Sequence, residues 1–306
     1  MSNSTMEMVD FGHGVPAFSR LIYGVWRLAD DMDTSETHIR KKIDLCLENG
    51  ITTFDHADIY GDYSCEALFG KVIKSHGDLK DRMQIITKCD IMLLSEKFPK
   101  RRVKHYDTSA AHIRASVDAS LGHLGVDVID MLLIHRPDPL MDHLETGGAL
   151  DALVDEGKVR GVGVSNFMPW DLDLLQSAMK HPILTNQIEI SLAARDTFTN
   201  GQIARAQQDG RPPMAWSPLA GGRLFIPNDE VGKRVMPKLL EIGNNYHVAA
   251  DAVALAWLLA HPAKILPIVG TNTLDRIRHI TDALKVEIDR ETWFELWTLA
   301  AGQEVP

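Results

Sequence analysis

The sequence predicts an α/β protein that folds as a closed (β/α)8 barrel of the TIM type. Short β-branched runs alternate with longer segments of helical periodicity, and the pair repeats eight times along the 306 residues. Parallel strands that are joined through helices require this alternation. No Pro- or Gly-rich linker divides the chain, so we predict a single domain over residues 1–306. A doubly wound open sheet would have the same alternation and is the alternative.

Each predicted strand is a short apolar run that ends at a turn or at polar residues. The run VIDMLLIH (128–135) is apolar on both faces, which is typical of a parallel strand that is buried on both sides. The eight predicted strands are, in chain order, 21–26, 52–57, 83–89, 128–135, 159–166, 183–191, 213–219 and 265–270. A further strand pair, 8–10 with 15–16, is predicted to close the floor of the barrel.

Helix boundaries follow from residues that favour helix ends. The segment DTSE (33–36) predicts a cap for a helix that runs to Asn49 and Gly50, and Asp107-Thr108-Ser109 predicts the start of another helix. Pro169 suits the first turn of a helix. The other predicted helices include 64–75, the apolar segment 253–260 and the terminal segment 291–301.

The charge balance argues against nucleic acid as the main partner. The net charge is -10, whereas phosphate binding needs a basic face. One basic run, KFPKRRVK (97–104), interrupts the acidic chain. We interpret it as a solvated loop, and the alternative is a loop that screens substrates or contacts another subunit.

No sequence feature predicts secretion or insertion into a membrane. The first residues lack an apolar signal segment, and the longest apolar run, 253–260, is too short to cross a bilayer. Cys46, Cys65 and Cys89 lack CxxC spacing, so we interpret them as reduced thiols of a cytoplasmic protein. The sequence specifies no oligomeric state.

Four residues with acid–base chemistry stand at or just after the ends of three neighbouring strands. Asp55 and Tyr60 lie in the stretch FDHADIYG (54–61), Lys88 ends the third strand and His135 ends the fourth. Because the carboxyl ends of barrel strands meet at one face, we expect the four side chains to converge there. The sequence therefore predicts an acid–base site.

The predicted roles follow from the chemistry of each group. A free phenol titrates near pH ~10 and is a weak acid at neutral pH. An adjacent ammonium lowers a phenol's pKa, so Lys88 is expected to lower that of Tyr60, while Asp55 holds Lys88 charged and in place. Tyr60 then acts as general acid, and His135 orients a carbonyl oxygen or shares the proton.

The residues beside Asp55 are assigned no catalytic role, and no metal site is predicted. His56 and Asp58 are interpreted as structural, because no second ligand stands at metal spacing and neither HExxH nor clustered Cys and His occurs. A lone His135 at a strand end would be interpreted as a core histidine. The other three groups favour the catalytic interpretation.

The motifs around these residues resemble those of the aldo-keto reductase superfamily, and the match spans nearly the whole chain. The basic loop with KHYDTS (104–109) is most similar to a bacterial branch with largely unassigned substrates. The resemblance implies that Asp55, Tyr60, Lys88 and His135 are the catalytic residues. The matching segments are FDHADIYG (54–61), ITKC (86–89), DMLLIHRPD (130–138), GKVRGVGVSNF (157–167), NQIEIS (186–191), AWSPLAGG (215–222) and PIVGTNTLDRI (267–277).

The resemblance also implies a site for NADPH and its product NADP+. Trp216 stands where the family more often has a tyrosine that stacks on the nicotinamide ring. Many relatives have a lysine in place of Gly270, so one phosphate contact is missing here. The residues implied to bind the cofactor are Ser165, Asn166 and Gln187 at the carboxamide, Trp216 at the ring, Ser217, Leu219 and Gly221 at the pyrophosphate, and Gly270, Thr271, Asn272 and Arg276 at the adenosine end.

Three functions compete on this sequence. The leading one is NADPH-dependent reduction of a small aldehyde or ketone, with Tyr60 as general acid and Trp26 either lining the substrate site or packing in the core. A Schiff-base aldolase would use Lys88 as nucleophile, although Asp55 would keep that amine protonated. The third is a subunit that senses nicotinamide nucleotides, like the reductase-fold β subunits of potassium channels.

Overall fold

The computed structural model describes residues 6–306, and a closed barrel of eight parallel strands dominates it. The strands are β1 (Met8–Val9), β2 (Phe18–Ser19), β3 (Ile22–Gly24), β4 (Thr53–Asp55), β5 (Gln84–Cys89), β6 (Ile91–Met92), β7 (His105–Tyr106), β8 (Ile129–Ile134), β9 (Val159–Ser165), β10 (Ile183–Glu189), β11 (Met214–Trp216) and β12 (Leu266–Val269).

The barrel closes in the order β10-β11-β12-β3-β4-β5-β8-β9. Each of these strands falls within one of the eight predicted runs, so the prediction of a (β/α)8 barrel is confirmed and the doubly wound alternative is wrong. The seventh strand is shorter than predicted because Ser217, with a φ of 48°, leaves the extended conformation directly after Trp216.

The helices lie between the strands, as predicted. They are α1 (Glu36–Glu48), α2 (Tyr60–Tyr63), α3 (Cys65–Ser75), α4 (Ala110–Leu124), α5 (His143–Asp155), α6 (Pro169–Gln176), α7 (Gln202–Gln208), α8 (Glu230–Tyr246), α9 (Ala250–Leu259), α10 (Leu274–His279) and α11 (Arg290–Ala301). Short 3-10 helices occupy Leu28–Asp30, Gly77–Arg82, Asp196–Phe198, Ala220–Phe225 and Ile280–Lys285.

The predicted helix ends are confirmed where a cap specifies them. The Ser35 side chain accepts a hydrogen bond from the His38 backbone N–H, and Ser109 does the same for His112. Pro169 is the first residue of α6, where a missing backbone N–H costs nothing.

A hairpin seals the floor of the barrel. Strand β1 pairs antiparallel with β2, so the predicted floor pair exists, but its second strand is Phe18–Ser19 and not 15–16. The difference arises because Gly12, His13 and Gly14 all have left-handed φ values and lengthen the turn. The hairpin joins the barrel's interior side chains in one apolar cluster of Val9, Phe11, Val15, Phe18, Ile22, Ile86, Met131, Leu133, Leu184, Met214, Leu266 and Ile268.

The basic run lies in the loop between β6 and β7, which pair antiparallel beyond the end of β5. Lys97 and Lys100 are exposed, in agreement with a solvated loop. Arg101, in contrast, lies with its guanidinium carbon 3.7 Å from the Phe98 ring centroid and donates a 2.5 Å hydrogen bond to the Tyr63 hydroxyl. The loop is therefore tied to the segment that follows Tyr60.

Candidate active site

The Lys88 ammonium is the centre of the predicted acid–base site. Its Nζ lies 2.7 and 2.8 Å from the two Asp55 carboxylate oxygens, 2.6 Å from the His56 carbonyl oxygen and 3.1 Å from the Tyr60 hydroxyl. Asp55 ends β4 and Lys88 is the second-last residue of β5, so adjacent parallel strands bring the two together. The structure thus brings three of the four predicted residues into direct contact.

The fourth residue, His135, lies beside this cluster. It directly follows β8 and is buried, and its ring centroid is 6.1 Å from that of Tyr60, edge to face. Its Nδ1 is buried without a hydrogen-bond partner among residues 6–306. Burial first, and then the Lys88 and Arg136 charges, lower the His135 pKa well below its ordinary value, so the ring is neutral.

The Tyr60 pKa moves in the direction opposite to the prediction. Burial and then the Asp55 carboxylate raise it well above its ordinary value. Burial also lowers the Lys88 pKa, against the attraction of Asp55. The sequence argument considered the ammonium alone, whereas desolvation of the phenolate is the larger effect. Tyr60 is accordingly fully protonated at neutral pH.

His56 and Asp58 lie next to Asp55 in the chain, and among residues 6–306 their side chains make no hydrogen bond to Tyr60. The buried His56 ring packs edge-on against Phe69 at 4.6 Å between centroids, and burial lowers its pKa to about 3. One Asp58 oxygen is buried without a partner among residues 6–306, and burial raises the Asp58 pKa to about 8. Both fit the structural interpretation better than a metal site.

Three successive residues after Tyr60 adopt left-handed backbone angles. Gly61, Asp62 and Tyr63 have φ values of 59°, 50° and 61°. Such a conformation costs about 1 kcal/mol or more for a residue other than glycine. Arg101 binds the Tyr63 hydroxyl and Lys97 donates to the Asp62 carbonyl, so the basic loop holds this segment in place.

A second group of predicted residues lines the wall beside His135. The Asn166 amide nitrogen donates to Ser165 Oγ at 2.8 Å, and the Trp216 indole N–H donates to Asn166 Oδ1 at 2.9 Å. Ser165 Oγ donates to the Gln187 carbonyl oxygen, and Gln187 Nε2 donates to Asp55 Oδ1, both at 2.8 Å. One network therefore joins the predicted carboxamide-binding residues to the acid–base cluster.

The loop after β11 contains Ser217, Leu219 and Gly221. Left-handed φ values recur at Ser217 (48°), Ala220 (52°), Gly221 (66°) and Gly222 (95°). Alternation of right- and left-handed residues can turn neighbouring backbone N–H groups towards one point, and such concavities bind anions. The loop thus has a backbone suited to phosphate.

The segment after β12, a loop followed by α10, contains the four residues predicted at the adenosine end. Asn272 is engaged at both ends of its amide, because Nδ2 donates to the Arg27 carbonyl at 2.6 Å and Oδ1 accepts from Lys42 Nζ at 2.9 Å. Thr271 Oγ1 accepts from the Thr273 backbone N–H at 3.2 Å. Arg276 lies exposed on α10 and makes no hydrogen bond or ion pair with residues 6–306.

Gly270 lies close to the neighbouring strand. A Cβ at this position would lie 3.1 Å from the Gly24 carbonyl oxygen, across the contact between β12 and β3. A lysine at this position would press against this backbone. The missing side chain is thus compatible with the close approach of the two strand ends.

Trp26 lies at the rim, beyond the end of β3. Its side chain is 57% exposed, and the Arg27 guanidinium carbon lies 5.4 Å from its ring centroid. The exposure favours the substrate-lining interpretation over the core interpretation. Arg27 also donates to the Gly221 carbonyl at 3.3 Å, so the first and seventh strand loops touch.

The sequence argument missed three residues that organise the site. Lys42 is buried on α1 and binds Asp31 and Asn272. Its place within the apolar stripe of that helix could have indicated a buried, paired lysine. Asp90, with a φ of 105°, follows β5 and accepts from the Arg136 backbone N–H at 2.9 Å. Arg136 could have been found from its place one residue beyond a strand end.

A metal site of clustered side chains and a membrane-spanning helix are both absent from residues 6–306. No group of three or more His, Cys, Asp or Glu side chains is arranged to hold a metal ion in this part of the chain. No helix between Met6 and Pro306 is long and apolar enough to cross a membrane.

Known proteins share both the sequence pattern and the architecture. The sequence profile of the aldo/keto reductase family matches residues 20–299. The 6-dehydroglucose reductase of Agrobacterium fabrum is 57% identical over 287 residues, which are 94% of this chain and 96% of the relative. The uncharacterized oxidoreductase YcsN of Bacillus subtilis is 44% identical over 290 residues, 94% and 96% of the two chains. A crystal structure of a thermostable aldo-keto reductase superposes with a TM-score of 0.79 at 25% identity, covering 96% of this chain and 100% of the other.

Proposed function

The chain belongs to the aldo/keto reductase family, and we propose that it reduces an aldehyde or ketone to an alcohol with NADPH, using Tyr60 as general acid. The observation that carries the proposal is the contact of Lys88 with Asp55 at 2.7 Å and with Tyr60 at 3.1 Å, next to the neutral His135. Its three free cysteines are buried, as in an enzyme of the reducing cytoplasm.

Tyr60 holds the proton that the reaction needs. Its raised pKa keeps the phenol protonated, and the Lys88 ammonium donates to the phenolic oxygen, where negative charge develops as the proton leaves. Asp55 and the His56 carbonyl fix Lys88 in this position. The neutral His135 ring, which lies beside Tyr60, can contribute a second polar contact to the carbonyl oxygen.

The residues around the cluster fit a nicotinamide nucleotide. Reduced nicotinamide, when bound, supplies the hydride. Ser165, Asn166 and Gln187 would hold its carboxamide and Trp216 its ring. The left-handed loop with Ser217, Leu219 and Gly221 would hold the pyrophosphate through backbone N–H groups.

We prefer NADPH to NADH because of the loop after β12. Arg276 is exposed and unpaired with any residue of 6–306, and a guanidinium binds a phosphate through charge-assisted hydrogen bonds. Thr271 is the second candidate donor. Asn272, whose amide is already bonded to Arg27 and Lys42, would act by holding the loop in shape.

The first substrate to test is 6-dehydroglucose. The relative that carries this name in its title is 57% identical over almost the full length of both chains. The assay follows the absorbance of the reduced nicotinamide with 6-dehydroglucose, simple aldehydes and ketones, using NADPH and NADH in parallel. Absence of turnover with every carbonyl compound would refute the reductase proposal.

The two other functions make different predictions in the same assay. A nucleotide sensor would exchange NADPH much faster than it turns over any aldehyde. An aldolase would form a borohydride-trappable adduct on Lys88. That function is disfavoured, since the Lys88 ammonium already donates to Asp55, the His56 carbonyl and Tyr60.

A further inference from the structure

We propose that Arg136 forms a substrate subsite for an oxoanion, a carboxylate or phosphate carried by the carbonyl compound. The inference rests on the proposed reductase function and specifies its substrate class. Arg136 directly follows His135 after the end of β8, so its side chain begins beside the acid–base cluster.

The main chain of Arg136 is fixed, while its guanidinium has no hydrogen-bond or ion-pair partner among residues 6–306. The backbone N–H donates to Asp90 Oδ2 at 2.9 Å. The half-buried guanidinium lies with its carbon 5.8 Å from the Trp216 ring centroid. Within residues 6–306, no carboxylate oxygen lies within 4.0 Å of it and no side-chain hydrogen bond engages it.

The charge of Arg136 acts on the reacting groups. After burial and Lys88, it is the next cause that lowers the His135 pKa. It also opposes the rise of the Tyr60 pKa that burial and Asp55 produce. Because Arg136 follows His135, whose ring centroid lies 6.1 Å from that of Tyr60, a group bound to the guanidinium would lie near a carbonyl held at Tyr60.

The barrel order separates Arg136 from the loop assigned to the 2′-phosphate of the cofactor. Strands β8 and β12 are four positions apart in a ring of eight, so they lie on opposite sides of the barrel. The phosphate-binding loops follow β11 and β12. The 2′-phosphate is therefore out of reach of Arg136, which lies beside Trp216 at the catalytic end, and the anion that it fits there is one carried by the substrate.

An unpaired arginine is informative in this chain. The sequence has 42 acidic residues against 32 basic ones, so carboxylates for pairing are abundant. A guanidinium stays charged at every relevant pH, loses solvation when half-buried, and presents a planar set of donors that matches carboxylate and phosphate. These properties favour an anionic substrate group, so an anionic carbonyl compound is expected to be a better substrate than the neutral 6-dehydroglucose.

The test compares two aldehydes that differ in charge. 4-Carboxybenzaldehyde is an anion, and 4-nitrobenzaldehyde is a neutral analogue of similar shape. Arg136→Gln should lower kcat/KM for the anion by roughly 10- to 100-fold more than for the neutral aldehyde, as loss of a charge-assisted hydrogen bond requires. Arg136→Lys should restore part of the loss. Glyceraldehyde 3-phosphate against glyceraldehyde gives the corresponding comparison for phosphate.

Lys100→Gln is the matched control, because it removes one exposed positive charge from the rim without a contact to the site. It should leave both aldehydes unchanged. Equal losses for both aldehydes in Arg136→Gln would mean that Arg136 acts through His135, and the subsite would be overturned.

Calorimetry with benzoate separates this inference from the reductase proposal. Benzoate has no carbonyl group that this chemistry reduces, so its binding in the presence of NADP+ does not depend on turnover. Wild type should bind it at least roughly tenfold more tightly than Arg136→Gln. If wild type reduces neither aldehyde, the reductase function fails, and benzoate binding by itself supports or overturns the anion subsite.

Discussion

The two ends of the cleft differ in how they are built. At the catalytic end, Lys88 is fully buried on β5, and its partners come from the end of β4 and the residues that follow it. At the adenosine end, Arg276 is exposed. The Asn272 side chain ties the loop after β12 to the Arg27 backbone and to Lys42 on α1. One end is fixed by the barrel, and the other is assembled from loops.

This difference assigns different tasks to the two ends. Burial magnifies electrostatic interactions and fixes geometry, as a proton transfer requires. Exposed loops can admit and release a charged ligand, and a guanidinium in water contributes mainly to the choice of ligand. Substitutions at the catalytic end should therefore change turnover, whereas those at the adenosine end should change binding.

Tyr60→Phe should give the largest effect. It retains the ring but removes the proposed proton donor, so carbonyl reduction should fall by ~10²–10⁴-fold. NADPH affinity, measured by fluorescence titration, should be nearly unchanged. Tyr246→Phe, which removes an exposed hydroxyl bonded to the Glu287 carbonyl, is the control. A Tyr60→Phe enzyme within about tenfold of wild type would transfer the acid role to His135.

Asp55→Asn should reduce turnover by roughly 10- to 100-fold and change its pH profile. The Asp55 charge raises the pKa of Tyr60, which burial also raises. It raises the pKa of Lys88 too, where it opposes the lowering by burial. Its removal should lower both values, so the alkaline limb of the kcat profile should move to lower pH. Profiles from pH 6 to 10 would test this, and an unchanged profile would make Asp55 a purely structural residue.

Arg276→Ala should affect the opposite end of the cleft. Loss of a charge-assisted hydrogen bond of about 1.5–3 kcal/mol should weaken NADPH binding by roughly 10- to 100-fold and NADH binding much less. kcat at saturating NADPH should be retained. Arg278→Ala is the control. The guanidinium of this neighbouring arginine already has a carboxylate partner, since its Nη1 lies 3.8 Å from Asp275 Oδ1. Equal weakening of both nucleotides would remove the main support for NADPH.

Asp58→Asn should show how the burial of the Asp58 carboxyl group affects the free energy of unfolding. The native Asp58 keeps its proton up to about pH 8, while the unfolded chain releases it near the ordinary value of 3.8. Between these values the native state binds more protons, so stability falls as pH rises. The free energy of unfolding of Asp58→Asn relative to wild type should rise by about 2 kcal/mol from pH 6 to pH 8.

Urea denaturation at several pH values measures this difference. Asp127→Asn, at an exposed carboxylate, should show no such trend. A constant difference between Asp58→Asn and wild type across the range would mean that Asp58 is ionised in the native protein.

The same contrast explains how far the sequence could be interpreted. Asp55, Lys88 and His135 stand at strand ends, and the alternation of strands and helices places strand ends together, so their convergence was predictable. The contact between Lys42 and Asn272 spans 230 residues and depends on loop shapes that no local pattern specifies. The direction of the Tyr60 pKa was also wrong at the sequence level, because burial, its largest cause, is a property of the folded chain.

The hairpin that seals the barrel floor has a practical consequence for attaching the protein to a surface. His13 lies exposed at its turn between Gly12 and Gly14, and both glycines have open space around them. The three natural thiols are buried, and burial raises the pKa of each, so they react slowly with alkylating reagents. His13→Cys would therefore supply one fast-reacting thiol on the side opposite the cleft, and molecules immobilised through it would all turn the mouth of the barrel towards the solution.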